Sequence, residues 1–484
     1  MGSLTKKLII TTIASLILVV GLATRGYALP AAQSEAIQTL LDDARRVSGV
    51  PGISVSIIDG DETFYFSSGF ADRENGLPAS ENTIYELASV SKAFTSTGIL
   101  LLEEQGLLSM TDPIQNYLPW LTLKYQGIPV DMQTVTLNDF LHHTSGLTNG
   151  KHIQGIPQGD TPDMLRKTVD LLVDAELAFL PGEQYSYGTV NYDVLGLVIE
   201  VVSGQSYENF MTQQVFQPLG LHNTYVYKAD AQATGQMAQG YRTSFFITTP
   251  YDAPDYAGNK PAGYIMSSAM DMTRWMNIQM GFIQDIPEVF NTIILKSHQG
   301  DTSVPDINGM YYAAGWSVNT DRTIVEHTGG NPNFATQVTM LPDERFAVCL
   351  LSNSANTNIE LVKSIKNILD GDLAQSYKMS ARQILDIVLS SVTMIACLSA
   401  VALFLLGLRR KKRNTRQQTT KKRQLTSMVW LTVTVAMCIM CWMFPVFSGY
   451  DWSTILVWQT YSILTTFISL TLLSMATTWL VYVR

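Results

Sequence analysis

Apolar residues recur at helical spacing at Ile37, Leu40, Leu41, Ala44 and Val47, and the run stops at Gly49, which predicts a helix ending there. The pattern then changes. I-S-V-S-I-I-D (53–59) and T-F-Y-F-S-S-G-F (63–70) are rich in β-branched and aromatic residues, and with the intervening Gly-Asp-Glu they predict a hairpin. Helical spacing returns in segments 91–105, 138–143, 163–177 and 192–203. Strand signals reappear at 315–319, 322–327, 336–342 and 345–353, and an amphipathic stretch at 355–370 closes this part of the chain. The order predicts an α/β (α+β) unit over residues 29–385. One antiparallel sheet flanked by helices is built from both ends of the unit, with an all-helical lobe inserted between them. Clefts between such lobes are favoured sites for small ligands.

The last hundred residues are a different material. Residues 386–408 carry no charge after Asp386 and are long enough to cross the ~30 Å hydrocarbon core of a bilayer. Two more such runs follow, 428–447 and 454–483. Between the first two lies the run 409–423, with nine basic residues and no acid, which reads as a cytoplasmic positive-inside loop. Ser448–Ser453 is short and not basic, which suits the outer side. At the N-terminus, Lys6-Lys7, an apolar run from Leu8 to Ala23 and small residues at 26–28 have the layout of a signal peptide over residues 1–28. An uncleaved anchor is the other reading, and both send the following segment out of the cytoplasm. The expectation is a multi-pass cell-membrane protein whose main domain is extracytoplasmic, followed by a membrane domain at 386–484 with three transmembrane helices.

Composition sharpens this picture at two points. Between residues 29 and 385 the chain holds 19 basic against 39 acidic residues, a net charge of −20 that disfavours nucleic acid as a partner. Of four cysteines only Cys349 belongs to that domain, so it has no internal disulfide. Cys438 and Cys441 fall inside an apolar run and read as packing residues, and a disulfide-free exported domain with a membrane anchor suits a bacterial envelope.

The candidate chemistry begins at E-L-A-S-V-S-K-A-F-T-S (86–96), where a strand-rich region hands over to a helix. If Ser89 opens that helix, Lys92 sits one turn on, and the helix N-terminus favours negative charge developing on the serine oxygen. A lysine acts as a base only when uncharged. Moving its pKa from ~10.4 toward neutrality takes about 3 units, or roughly 4 kcal/mol, supplied by burial and neighbours. The same residues equally describe a capping serine and a surface lysine. A second stretch, P-G-E-Q-Y-S-Y-G-T-V-N-Y-D-V-L-G (181–196), reads as a Pro-Gly turn, an aromatic segment and a helix beginning near Asn191. It offers Tyr187 as a proton relay or as a buried structural tyrosine. A third, E-H-T-G-G-N-P-N-F (326–334), lies at a late strand edge. Its glycines let a substrate backbone approach, and the amides of Ser89 and Gly330 can form an oxyanion hole. Alone, it would be a tight turn.

Together these motifs resemble those of the serine β-lactamase and penicillin-binding protein superfamily, in particular class C β-lactamases and low-molecular-weight DD-peptidases. S-V-S-K is similar to the nucleophile motif, Y-G-T to Tyr-x-Asn and H-T-G to Lys-Thr-Gly. T-L-N-D-F-L-H-H-T-S-G-L (136–147) also resembles a segment of that family, read physically as a helix with a Thr136/Asp139 capping box and a stop at Gly146. The resemblance covers residues 33–375 and none of the three spans.

It implies Ser89 as acylated nucleophile, Lys92 as its proton acceptor, Tyr187 as general acid/base, and His327, Thr328 and Gly330 on the substrate side. Two positions depart from the pattern. Thr189 replaces an asparagine whose amide holds a substrate carbonyl, and Asn191 is out of register for that role. His327 replaces a lysine, and a histidine near pKa 6.5 is mostly neutral at pH 7. Acyl transfer on cell-wall peptides or related D-amino-acid amides and esters is therefore expected, and efficient penicillin hydrolysis does not follow. One alternative is a catalytically weak sensor that uses the cleft for binding. Another, transport through the spans, calls for buried intramembrane charges that the apolar runs lack. No metal or cofactor is implied: the six histidines have no ligand spacing, and H-E-x-x-H, G-x-S-x-G and phosphate-loop motifs are absent from the sequence.

Overall fold

Ile37, Leu40, Leu41 and Ala44 are buried along one face of helix α1 (Ala31–Ser48), which ends where Gly49, at φ +70°, returns its amide to the Arg45 carbonyl. Val47, counted with that apolar face from the sequence, is 40% exposed instead. The computed structural model describes residues 29–150, 152, 155–304, 309–357, 360–413 and 421–483. The signal peptide read at 1–28 lies outside them, as do residues 414–420 of the basic loop.

Strands β1 (Gly52–Asp59) and β2 (Glu62–Asp72) form the expected hairpin, with Ile53 opposite Ser68 and Asp59 opposite Glu62. The short β3 (Leu77–Pro78) lies at one edge. After the inserted lobe come β4 (Tyr311–Tyr312), β5 (Ser317–Val318), β6 (Val325–Gly330), β7 (Ala335–Leu341) and β8 (Phe346–Ser352). All pair antiparallel in the order β4-β5-β6-β7-β8-β1-β2-β3. The β1–β8 pairing joins the two ends of the domain.

Alternation along the central strands divides the core. Ile53, Val55 and Ile57 of β1, with Phe346, Val348 and Leu350 of β8, pack on α1. The intervening Ile58, Ala347, Cys349 and Leu351 face the inserted lobe. At the lobe's centre runs α2 (Ser91–Glu104), in which every residue from Ser91 to Leu102 is buried. A helix buried all round has no solvent face, and its first turn, with the polar Ser91, Lys92 and Thr95, is fixed from every side. Beside it lies α3 (Val190–Ser203), followed in the chain by α4 (Ala269–Gln279). Three small sheets accompany the helices of the lobe. The apolar run at 163–177 becomes helix only over Met164–Asp170, because Ala175–Glu176 pairs with Leu123–Lys124. Helix α5 (Leu361–Leu369) closes the domain beside α1.

Among the described residues, three helices long and apolar enough to cross a membrane follow: α6 (Ala381–Arg413), α7 (Lys421–Ser448) and α9 (Ser462–Tyr482). The run read as one span over 454–483 is divided. Asp451 caps a separate seven-residue helix, α8 (Trp452–Trp458), by accepting from the Thr454 amide at 2.6 Å, and α9 starts after a break at Gln459–Tyr461. Helix α9 packs on both others through small polar groups, with Thr466 meeting Thr393 at 3.0 Å and Ser474 meeting Thr434 at 2.7 Å.

Candidate active site

Ser89 occupies a single 3₁₀ turn, Ala88–Val90, immediately before α2. Ala88 takes φ +47°, a left-handed conformation costing a non-glycine residue about 1–3 kcal/mol, and it is fully buried. The turn is over-determined by its packing against β6. A Cβ at Gly329 would sit 2.4 Å from the Leu87 carbonyl oxygen and 3.1 Å from the Ser89 amide nitrogen. The sequence pattern ended this strand at His327 and assigned the glycines to substrate approach. They lie within β6, and Gly329 serves the approach of β6 to the Ser89 turn. Gly330 is exposed, and a Cβ there would meet nothing within 4 Å.

Lys92, the second residue of α2, is fully buried. Its Nζ lies 3.4 Å from Ser89 Oγ, 3.1 Å from Thr189 Oγ1 and 2.7 Å from the Ala262 carbonyl. Burial pushes its pKa down to about 7, partly opposed by Asp193. Asp193, on α3, is itself buried and held well above the usual carboxylate range by desolvation, with Asn259 donating to it at 2.6 Å. Tyr187 precedes α3. Its hydroxyl is sealed from water, and burial pushes its pKa up, with the neighbouring Ser89 side chain partly offsetting that push. Tyr187 is therefore a neutral phenol. Asn191, left aside as out of register, is held elsewhere: it accepts from Ser145 at 2.6 Å and donates to His143 Nδ1 at 2.9 Å, beneath the Tyr187 ring.

On the sheet side, Thr328 is exposed and His327 is buried. His327 Nδ1 donates to the Thr328 carbonyl at 2.7 Å, so its Nε2 accepts from the Tyr312 hydroxyl at 3.1 Å. Burial, with Lys92 adding to it, pushes His327 down to about 3. This residue offers a substrate no positive charge at any physiological pH. The segment 136–147 supports the site from below: Thr136 donates its amide to Asp139 at 2.7 Å, and the helix it opens ends at Leu141 rather than at Gly146. Gly146 instead takes φ +82° against the Phe179 carbonyl, where no Cβ fits.

The seven residues picked out in the sequence are thus brought together. Ser89 stands where two clefts meet, each of about 400 Å³. One is lined by Tyr185, Tyr187, Tyr312, His327 and Thr328. The other is lined by Tyr187, Thr189, Asn331 and two groups that the motifs did not reveal. The first is Asn149, whose side-chain carbonyl accepts from the Thr189 amide at 2.9 Å, placing a carboxamide beside the position where Thr189 lacks one. The second is the Tyr450–Gln459 segment of the membrane module. No local spacing signals either, because both reach the cleft from distant parts of the chain.

The Beta-lactamase family profile matches residues 37–373. The chain is 26% identical over 440 residues to "Protein flp" of Staphylococcus aureus (strain MW2), covering 87% of this chain and 85% of the relative. It is 28% identical over 365 residues to "Penicillin-binding protein 4*" of Bacillus subtilis (strain 168), covering 69% and 76%. Among solved structures, the octameric penicillin-binding protein homologue from Pyrococcus abyssi superposes with a TM-score of 0.60, over 70% of this chain and 77% of that one, at 24% identity. That last likeness concerns the fold. With more than half of its residues matched by the profile and its site motifs converging on one serine, the chain belongs to the Beta-lactamase family, as a membrane-associated member with three apolar C-terminal helices.

Proposed function

We propose that the protein is a membrane-anchored serine hydrolase, its catalytic domain outside the cytoplasm, that acts through an acyl-enzyme on cell-wall peptides or related D-amino-acid amides and esters. One observation carries this reading: a fully buried Lys92, drawn down to about 7, whose nitrogen faces Ser89 Oγ at 3.4 Å. A neutral amine has two N–H donors and one lone pair. Ala262 O and Thr189 Oγ1 take the donors, which leaves the lone pair for the Ser89 hydroxyl proton. Thr189 thus keeps a role, orienting the base, despite the absence of an amide.

In the forward reaction Ser89 Oγ bonds to the substrate carbonyl carbon as its proton passes to Lys92 Nζ. The oxyanion lies against the amides of Ser89 and Gly330. The proton then travels from Lys92 through the Tyr187 phenol to the departing amine or alkoxide as the scissile bond breaks. Water, deprotonated along the same path, releases the acid and restores Ser89. The transient lysinium is stabilised by the Ala262 carbonyl and the Asp193 carboxyl.

Intact-mass measurement of the full-length protein with a penicillin, and with a D-alanyl thioester, tests the reading. An adduct mapped to the Ser89 peptide and absent from Ser89→Ala is the expected result. No adduct with either compound overturns it and favours the second reading, a binding or sensor protein. The features behind that alternative are the neutral His327 and the missing amide at Thr189.

A further inference from the structure

The cleft beside Ser89 is closed on one side by the membrane module. Tyr450, Ile455 and Trp458 line it together with Ser89, Asn149 and Tyr264 of the hydrolase domain. These residues are more than 180 positions apart in the chain, and α8 is fixed where it stands. The last carbonyls of a short helix have no intrahelical partners. Those of α8 are taken by arginines: the Arg242 guanidinium donates to Leu456 O at 2.9 Å and also to Val457 O, and Arg382 donates to Trp458 O at 2.6 Å. Arg242 belongs to the hydrolase domain, is 3% exposed, and is stacked between the Tyr251 and Tyr461 rings at 3.5 and 4.8 Å. The Tyr461 amide adds a bond to Ser244 Oγ at 3.1 Å. A connector between two spans needs none of these contacts.

The wall so built presents Tyr450, Ile455 and Trp458 to the cleft, interspersed with Ser453, Thr454 and Gln459, and sits at the end of the bundle where α7 stops at Ser448 and α9 starts at Ser462. That end is opposite to the basic run. Ile455 and Trp458 line the same cleft as Ser89, so a molecule that lays an apolar chain along them can hold its polar part at Ser89.

We infer that the Tyr450–Gln459 segment is a specificity element of the site, and that the substrate is amphiphilic: its reacting carbonyl stands at Ser89 while its apolar chain packs against Tyr450, Ile455 and Trp458. This rests on the serine-hydrolase reading for the position of the carbonyl, but the binding it requires does not depend on turnover.

The test is therefore an equilibrium one. The full-length Ser89→Ala protein, in phosphatidylglycerol nanodiscs, is titrated calorimetrically with N-octanoyl-D-alanine amide and N-acetyl-D-alanine amide, with empty discs as the blank. The octanoyl probe is expected to bind at least tenfold more tightly. Trp458→Ala in the same background should remove about tenfold of the octanoyl affinity, the scale of a buried aromatic anchor, and leave the acetyl probe unchanged. Trp458→Phe, which keeps an apolar ring, should restore most of it. Equal affinity for the two chain lengths, no binding of the octanoyl probe, or an equal loss for both probes in Trp458→Ala overturns the inference. Failure of the hydrolase reading alone would look different: no mass adduct on Ser89, with chain-length-dependent binding retained.

Discussion

The two sides of the cleft around Ser89 are built on opposite terms. The helical side is sealed: Lys92 and Asp193 are fully buried, the Tyr187 hydroxyl is cut off from water, and Asn191 and His143 are bonded to each other beneath them. The sheet side is open, with Thr328 and Gly330 exposed on β6 and His327 committed to Tyr312 and its own strand. Burial makes a neutral lysine possible on the first side, which is what the proposed proton transfer needs. Exposure leaves the second free to meet substrate. Where the resembled motif has a lysine, this position is a histidine held neutral by burial, so it brings no positive charge to the cleft.

The largest expected effect tests the sealed side. Lys92→Met should lower kcat/KM by roughly 10³-fold, within the 10²–10⁴ range of general-base removal. In the wild type, kcat/KM should rise with pH through about 7, as the base form of Lys92 becomes populated, with no further limb near 6.5 because His327 titrates at about 3. Stability should move the other way on substitution. The unfolded chain keeps its lysine protonated up to ~10.4 while the native state does so only up to about 7, so native stability rises with pH across that window. Lys92→Met removes this dependence and should raise the melting midpoint at pH 7. A variant that loses turnover without gaining stability would mean that Lys92 is not strained by burial.

The next comparison is between adjacent glycines. Gly329→Ala places a methyl 2.4 Å from the Leu87 carbonyl and must displace β6 from the nucleophile turn. A shift of about 1 Å at a reacting group costs roughly 10²-fold in rate. Gly330→Ala enters open space and should stay within about threefold of wild type, a change of under 1 kcal/mol. Similar losses at both positions would show that substrate contact, rather than strand packing, governs this stretch.

A milder loss than at Gly329 is expected at Asn149. If its carboxamide takes the place of the missing amide at Thr189, Asn149→Ala should raise KM about 3–10-fold with kcat nearly unchanged, the scale of one hydrogen bond. A fall in kcat alone would instead point to a displaced Thr189, whose amide Asn149 holds.

How much of this was legible in the sequence varies with the range of the interaction. The hairpin at 53–70, the helix after Ser91 and the strands near 336–353 follow from periodicity, because alternation and 3.6-residue spacing are local. The Ser89–Lys92 pair was visible for the same reason: a spacing of three places both groups on one turn. Strand β6 was cut short because two glycines carry no strand signal, although the lack of a side chain at Gly329 is what lets β6 lie against the Ser89 turn. The division of 454–483 into α8 and α9 was missed because an apolar run shows no internal boundary until its neighbours impose one.

By itself, the sequence determined the element types, the motif residues and the apolar runs able to cross a membrane, since each depends on side chains within a turn or a strand of one another. The tertiary structure decided how the site arranges them. Lys92 is lowered to about 7 by burial beneath residues 97 and 170 positions away, and Arg242 holds the wall of the cleft from 214 positions away. Desolvation and cleft closure are properties of packing, and packing at that range leaves no local pattern in the chain.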